Sequence, residues 1–199
     1  MQTKKKFPGD AEQAKKAVGE ILKYLGENKD REGLRHTPDR VVRSWDRLFG
    51  GYSQDPESIF TFFEEDDVIP EKQIILLQDI EFYSTCEHHF LPFVGKAHVA
   101  YIPDKKVVGI SKLARLVEMF ARRLQIQERI GNQVTQTLMQ YLEPKGAACV
   151  IEAKHFCMTS RGVEKQNSVM VTSALKGAFL ENQKTRDELF SLIKRHPYV

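Results

Sequence analysis

An α+β fold built on an antiparallel sheet, with helices ahead of it, is what this sequence of 199 residues predicts. Strand-like segments come in consecutive pairs rather than alternating with helices, and helical periodicity fills the stretches around those pairs. Gly and Pro mark most of the boundaries. From Asp10 to Leu25, Ala14, Ala17, Val18, Ile21, Leu22 and Leu25 recur at spacings of three and four, the stripe of an amphipathic helix that Gly26 and Asn28 end. Thr37-Pro38 opens a second helix through Val41, Val42, Trp45, Leu48 and Phe49, closed by Gly50-Gly51. The next stretch, to Lys72, carries Pro56, Pro70 and the acidic run Glu64-Glu65-Asp66-Asp67, and reads as a solvated connector. The expected division is therefore a helical region with connector over 1–72 and a sheet-bearing domain over 73–199.

From Gln73 the period shortens. Ile74 to Tyr83 is rich in β-branched and aromatic residues and Lys96 to Ile102 alternates, so both read as strands. After a turn at Pro103-Asp104, a helix is expected from Lys112, capped by Ser111, with Leu113, Leu116, Val117, Phe120 and Leu124 as its apolar stripe. A further helix carries Ile130, Val134, Leu138 and Leu142 and stops before Pro144. Ala147 to Cys157 and Ser168 to Ser173 form the second strand pair, and a last helix spans about Thr185 to Lys194. No internal repeat or low-complexity segment interrupts this order.

Composition excludes several classes. With 41% hydrophobic and 29% charged residues the chain is neither disordered nor collagen-like. The formal charge of +3, part of it in the tail Lys4-Lys5-Lys6, implies no broad polyanion-binding face, so nucleic acid is not the expected partner. No run approaches the ~18 apolar residues of a membrane span, and Met1 to Phe7 lacks an apolar signal core, so the expected setting is cytoplasmic. Three cysteines, Cys86, Cys149 and Cys157, are an odd number that does not suit a secreted disulfide framework.

Two of those thiols keep company that suits a metal. In Cys86-Glu87-His88-His89 a thiol and an imidazole three residues apart can reach one ion from a tight turn. In His155-Phe156-Cys157 a strand would put His155 and Cys157 on one face, so His155 should see what Cys157 binds. Cys149 shares that parity but lies roughly 26 Å away along an unbroken strand, as an inert core thiol. Cys86, His89 and Cys157 are thus candidate zinc ligands, with a fourth tetrahedral position left for water. His88 and His155, outside the ligand count, are candidates for proton transfer. The same spacing admits a plainer reading of buried core thiols beside a loop histidine pair.

A second constellation suits an anion and a base. Ser111, Lys112 and Arg115 at a helix start combine free amides, the helix dipole and two cations, and Arg161-Gly162 could aim a third cation toward the metal. An ordinary solvated helix face fits the same residues. Gln127-Glu128 opens the next helix. The carboxylate of Glu128 could accept the paired N–H groups that guanine presents, or serve simply as a first-turn acid favoured by the dipole. His98 reads as structural.

Taken together, these motifs resemble GTP cyclohydrolase I. They are Cys86-Glu87-His88-His89-Phe90-Leu91-Pro92-Phe93, His98 to Pro103, Ser111-Lys112-Leu113-Ala114-Arg115, Arg123 to Arg129, and His155-Phe156-Cys157-Met158 with Arg161-Gly162-Val163, in order from Asp30 onward. The resemblance implies a tunnelling fold, a four-stranded antiparallel sheet with two antiparallel helices, assembled as a homodecamer of two pentamers. It implies zinc on Cys86, His89 and Cys157. Lys112, Arg115 and Arg161 would hold the triphosphate of GTP, Gln127 and Glu128 the guanine, with Ser111 near the ribose and His88 and His155 moving protons. The implied reaction opens the guanine imidazole ring, releases formate and gives 7,8-dihydroneopterin triphosphate. A non-catalytic zinc- and nucleotide-binding module of this fold, or another pterin or deazapurine enzyme, is the alternative.

Overall fold

The computed structural model describes residues 7–60, 62–63 and 73–194. The tail Lys4-Lys5-Lys6 and the acidic run Glu64 to Asp67 lie outside the described residues.

Two helices come first. Helix α1 (Ala11–Tyr24) starts where Asp10 accepts the N–H of Glu12, and α2 (Thr37–Leu48) starts with proline in its first turn. Only Val18 and Leu22 of the α1 stripe are buried, whereas Ile21, Tyr24 and Leu25 stay exposed. Arg47 of α2 pairs with Glu118 at 2.6 Å, and just beyond α2 the N–H of Gly51 donates to Arg122 O at 3.0 Å while its own carbonyl accepts from Arg123 Nε. A Cβ at Gly51 would stand 2.0 Å from Met119 O, so only glycine permits this approach.

The sheet follows. Strand β1 (Phe62–Phe63) pairs with β4 (Val107–Val108) in a small ribbon. The main sheet contains β2 (Ile75–Cys86), β3 (Pro92–Ile102), β5 (Leu124–Gln125), β6 (Gly146–His155) and β7 (Met170–Gly177), ordered β5-β2-β3-β6-β7. The β2-β3-β6-β7 run is antiparallel, as expected. The two-residue β5 adds a parallel fifth strand to the end of β2, pairing Thr85 with Leu124 and Cys86 with Gln125.

Helices α3 (Ile110–Ala121) and α4 (Gln127–Leu142) cover one face. Leu113, Leu116, Val117, Ile130, Val134 and Leu138 meet Phe82 and Phe93 there, all fully or almost fully buried. Removing several large apolar side chains from water, at roughly 1.5–3 kcal/mol each, is what holds helices to sheet. On the opposite face a smaller cluster forms from Ala100, Ile102, Ala148, Phe179 and Leu189, the last two on α6 (Ala178–Glu181) and α7 (Gln183–Lys194).

Local expectations differ from the structure in three places. Helix α3 begins at Ile110 with Gly109 in the cap position, so Ser111 lies inside the first turn and caps nothing; β4 ends immediately before Gly109 and delivers the chain into the helix early. Leu124 does not continue the α3 stripe, because the helix ends at Ala121 and β5 turns the chain along β2. Strand β6 ends at His155, and Cys157 sits on the short helical turn α5 (Phe156–Thr159), so strand parity is not what relates those two residues.

Candidate metal and substrate site

The turn from Cys86 to Leu91 is built from backbone outward. Cys86 N–H donates to Leu91 O at 2.8 Å, and Phe90 N–H to Cys86 O at 2.9 Å, with Phe90 in the left-handed region at φ 56°. Strand β5 props the turn from the side, where Glu87 N–H donates to Gln125 O at 3.0 Å. The Glu87 carboxylate then receives Arg129 twice, Nη2 to Oε1 at 2.9 Å and Nη1 to Oε2. That guanidinium holds the Glu87 carboxyl below the usual range, and its own pKa is raised in return. Glu87 and Arg129 thus form a strut between the turn and the first turn of α4.

At this end of the sheet Cys86, His89 and Cys157 converge, with one donor atom from each lying within 4.8 Å of the others. Cys86 is buried, Cys157 half-buried and His89 exposed. Cys86 Sγ stands 3.7 Å from His89 Nδ1, and Arg161 Nη1 lies 3.2 Å from His89 Nε2. Burial raises the Cys157 thiol, the adjacent Cys86 raises it further, and Arg161 pulls the other way. Two sulfurs and one imidazole are a donor set that suits zinc, and three donors are fewer than the four of a closed structural site. Among the described residues no fourth His, Cys, Asp or Glu joins the group. Cys149 stands apart, fully buried in β6, its thiol pushed up to about 12 by burial.

His155 reaches the same end from β6. Its cross-strand partner is Phe93, and the two rings stack with centroids 4.5 Å apart at 4°. Its Nε2 meets Gln127 Oε1 at 2.8 Å. Burial lowers its pKa, while the carboxylate of Glu128 opposes that shift. Gln127 is buried and Glu128 exposed at the start of α4. His88, also exposed, stands edge-on to His89 with Nε2 3.9 Å from Glu87.

The structure therefore gathers Cys86, His88, His89, Gln127, Glu128, His155, Cys157 and Arg161 around one end of the sheet. Ser111, Lys112 and Arg115 lie elsewhere. Ser84 Oγ, two residues before Cys86, donates to Ala121 O at 2.7 Å, which fixes the C-terminus of α3 beside the Cys86 turn. The first turn of α3 lies roughly 14 Å back along the helix axis. Among the described residues neither Lys112 nor Arg115 is paired with a carboxylate.

This arrangement has named relatives. The family model for GTP cyclohydrolase I matches residues 14–194. The chain belongs to the GTP cyclohydrolase I family. A protein named GTP cyclohydrolase 1 from Wolinella succinogenes is 56% identical over 177 residues, covering 89% of this chain and 94% of its own. Its namesake from Campylobacter jejuni is 54% identical over 178 residues (88% and 92%). That from Caldanaerobacter subterraneus is 50% identical over 185 residues (92% and 97%). Among solved structures, an archaeosine synthase QueF-Like in the apo form aligns at 15% identity and TM-score 0.45, covering 54% of this chain and 95% of that one. The antiparallel sheet backed by α3 and α4 is the tunnelling fold of the GTP cyclohydrolase I family. No helix among the described residues is long and apolar enough to cross a membrane.

Sequence reasoning missed Arg129 and Phe93. Arg129 stands 42 residues from Glu87, and no local spacing signals such a pair. Phe93 and Arg129 both belong to the motifs of the resemblance, but the stacking of Phe93 on His155 follows from strand register alone.

Proposed function

We propose that this protein is a zinc-dependent hydrolase that opens the guanine imidazole ring of GTP, releases formate and forms 7,8-dihydroneopterin triphosphate. Family membership supports the substrate, and the convergence of Cys86, His89 and Cys157 beside His155 is the observation that carries the chemistry. Zinc would be held by the two sulfurs and by His89, and when bound it supplies the Lewis acidity that makes water nucleophilic near neutral pH.

The protein's own groups do the rest. Water adds to C8 of the guanine, the C8–N9 bond breaks, and a second water displaces C8 as formate. His155 and His88 exchange the protons that these additions and cleavages require. The ribose then opens and rearranges, and the freed amine closes on its carbonyl with loss of one water. Glu128 accepts the paired N–H groups of guanine, Gln127 stands beside it, and Ser111 lies near the ribose.

Arg161, Lys112 and Arg115 hold the triphosphate, which does not react, so remote binding energy serves to orient C8. The Arg161 guanidinium, 3.2 Å from His89 Nε2, has donors only and would face an anion wherever that nitrogen carries a proton. The first turn of α3 stands away from the Cys86 turn of its own chain, and the decamer of two pentamers that family membership suggests would complete the site with a second copy. The exposed Ile21, Tyr24 and Leu25, and Val171 on the edge strand β7, offer surface for such neighbours.

The test is incubation of zinc-loaded protein with GTP, followed by oxidation and assay for neopterin fluorescence and formate. Equal yields of both are expected. GTP recovered intact, or bound without formate, would overturn the reading.

A further inference from the structure

We infer that Gln127 acts as a positioning residue that selects the ring tautomer of His155, rather than as a direct contact to the base. This rests on the reading that His155 moves protons in the reaction proposed above.

Gln127 is 1% exposed, and both ends of its amide are occupied. Its Nε2 donates toward Ile151 O, Met170 O and Thr172 Oγ1, each at 3.0 Å. Two of those three partners are backbone carbonyls, which can only accept. Turning the amide over would set Oε1 against two carbonyl oxygens, so its surroundings fix the orientation. Oε1 therefore faces His155 Nε2 at 2.8 Å and can only accept, which requires an N–H on that nitrogen.

In the neutral ring the lone pair then sits on Nδ1. The Phe93 face, stacked at 4.5 Å, prevents the ring from tilting out of this bond. Strands β6 and β7, through Ile151, Met170 and Thr172, thereby determine which nitrogen of His155 exchanges protons. The buried amide has no hydrogen left for a ligand.

The experiment is solid-state 15N spectroscopy of zinc-loaded protein carrying ring-15N histidine, at alkaline pH where the ring is neutral, with His155→Gln to identify the His155 signals. The expected result is a proton on Nε2 in the wild type, and a mixed or reversed tautomer in Gln127→Leu. A wild-type spectrum with the proton on Nδ1 overturns the inference whether or not any variant folds, and so does an unchanged tautomer in a folded Gln127→Leu.

Steady-state kinetics supply a second readout. Gln127→Leu should lower kcat by about tenfold or more, the scale of a misdirected general base, with KM for GTP changed far less. A rise in KM with kcat preserved would mark a base-binding role and overturn the inference. The spectra need no turnover, so a wild type that leaves GTP intact refutes the proposed function while the tautomer is still decided.

Discussion

Two polar regions that the sequence presents as equals turn out to be built in opposite ways. At the Cys86–Leu91 turn nearly every group is tethered. β5 holds its backbone, Arg129 grips Glu87, and Gln127 and Phe93 fix the neighbouring His155. At the first turn of α3, Ser111 and Arg115 are exposed and no side chain caps the helix. The difference teaches that one chain preorganises the proposed metal and proton-transfer end by itself. The proposed anion-binding end is preorganised only as far as helix amides and two cations can manage.

The contrast breaks first at the metal. Cys157→Ala should lose zinc and lower turnover by at least ~10³-fold, several kcal/mol of the barrier. Metal analysis alongside the GTP assay checks it, and stoichiometric zinc in that variant would remove Cys157 from the ligand set. Next comes the strut. Arg129→Ala should weaken zinc affinity by about 10–100-fold, the usual scale for a group that orients a ligand-bearing turn. Chelator competition measures this, and Arg129→Lys should fall between because it cannot grip Glu87 with two parallel bonds. Affinity equal to wild type would make the strut ornamental.

At the other region the expected effect is smaller and of another kind. Lys112→Ala or Arg115→Ala should raise KM for GTP by about tenfold, or ~1.4 kcal/mol, with zinc content unchanged. Loss of metal from either variant would mean that the two regions are coupled within one chain. Smallest of all, Cys149→Ala should cost about 1 kcal/mol of stability in a denaturant titration and leave metal and turnover as they were, since that thiol is buried in β6 away from the cluster.

These regions were not equally legible in the sequence. The pairing of strands and the helices α1, α2 and α4 follow from periodicity, because burying one face demands it. Cys86 and His89 were readable because a three-residue spacing on a turn is local chemistry. Cys157 came from an argument that fails in its particulars, since α5 and not strand parity carries it. The start of α3 at Ile110 and the diversion of Leu124 into β5 depend on what the preceding strand and β2 require, which no window of the chain reveals. The same holds for Arg129 with Glu87 and Gln127 with His155, pairs 42 and 28 residues apart that only the folded sheet brings together.

The most direct test mixes two impaired chains and assays them at GTP well below the KM of the second. Cys157→Ala lacks the metal end, a double Lys112→Ala/Arg115→Ala variant lacks the anion end, and each has the end that the other has lost. If a site joins the metal end of one copy to the first turn of α3 in another, unfolding and refolding an equal mixture with zinc should restore GTP ring opening in about a quarter of the sites. If activity stays at the level of the separate variants, although zinc is bound and the two chains co-assemble, each chain's anion end serves its own metal end and the account is wrong.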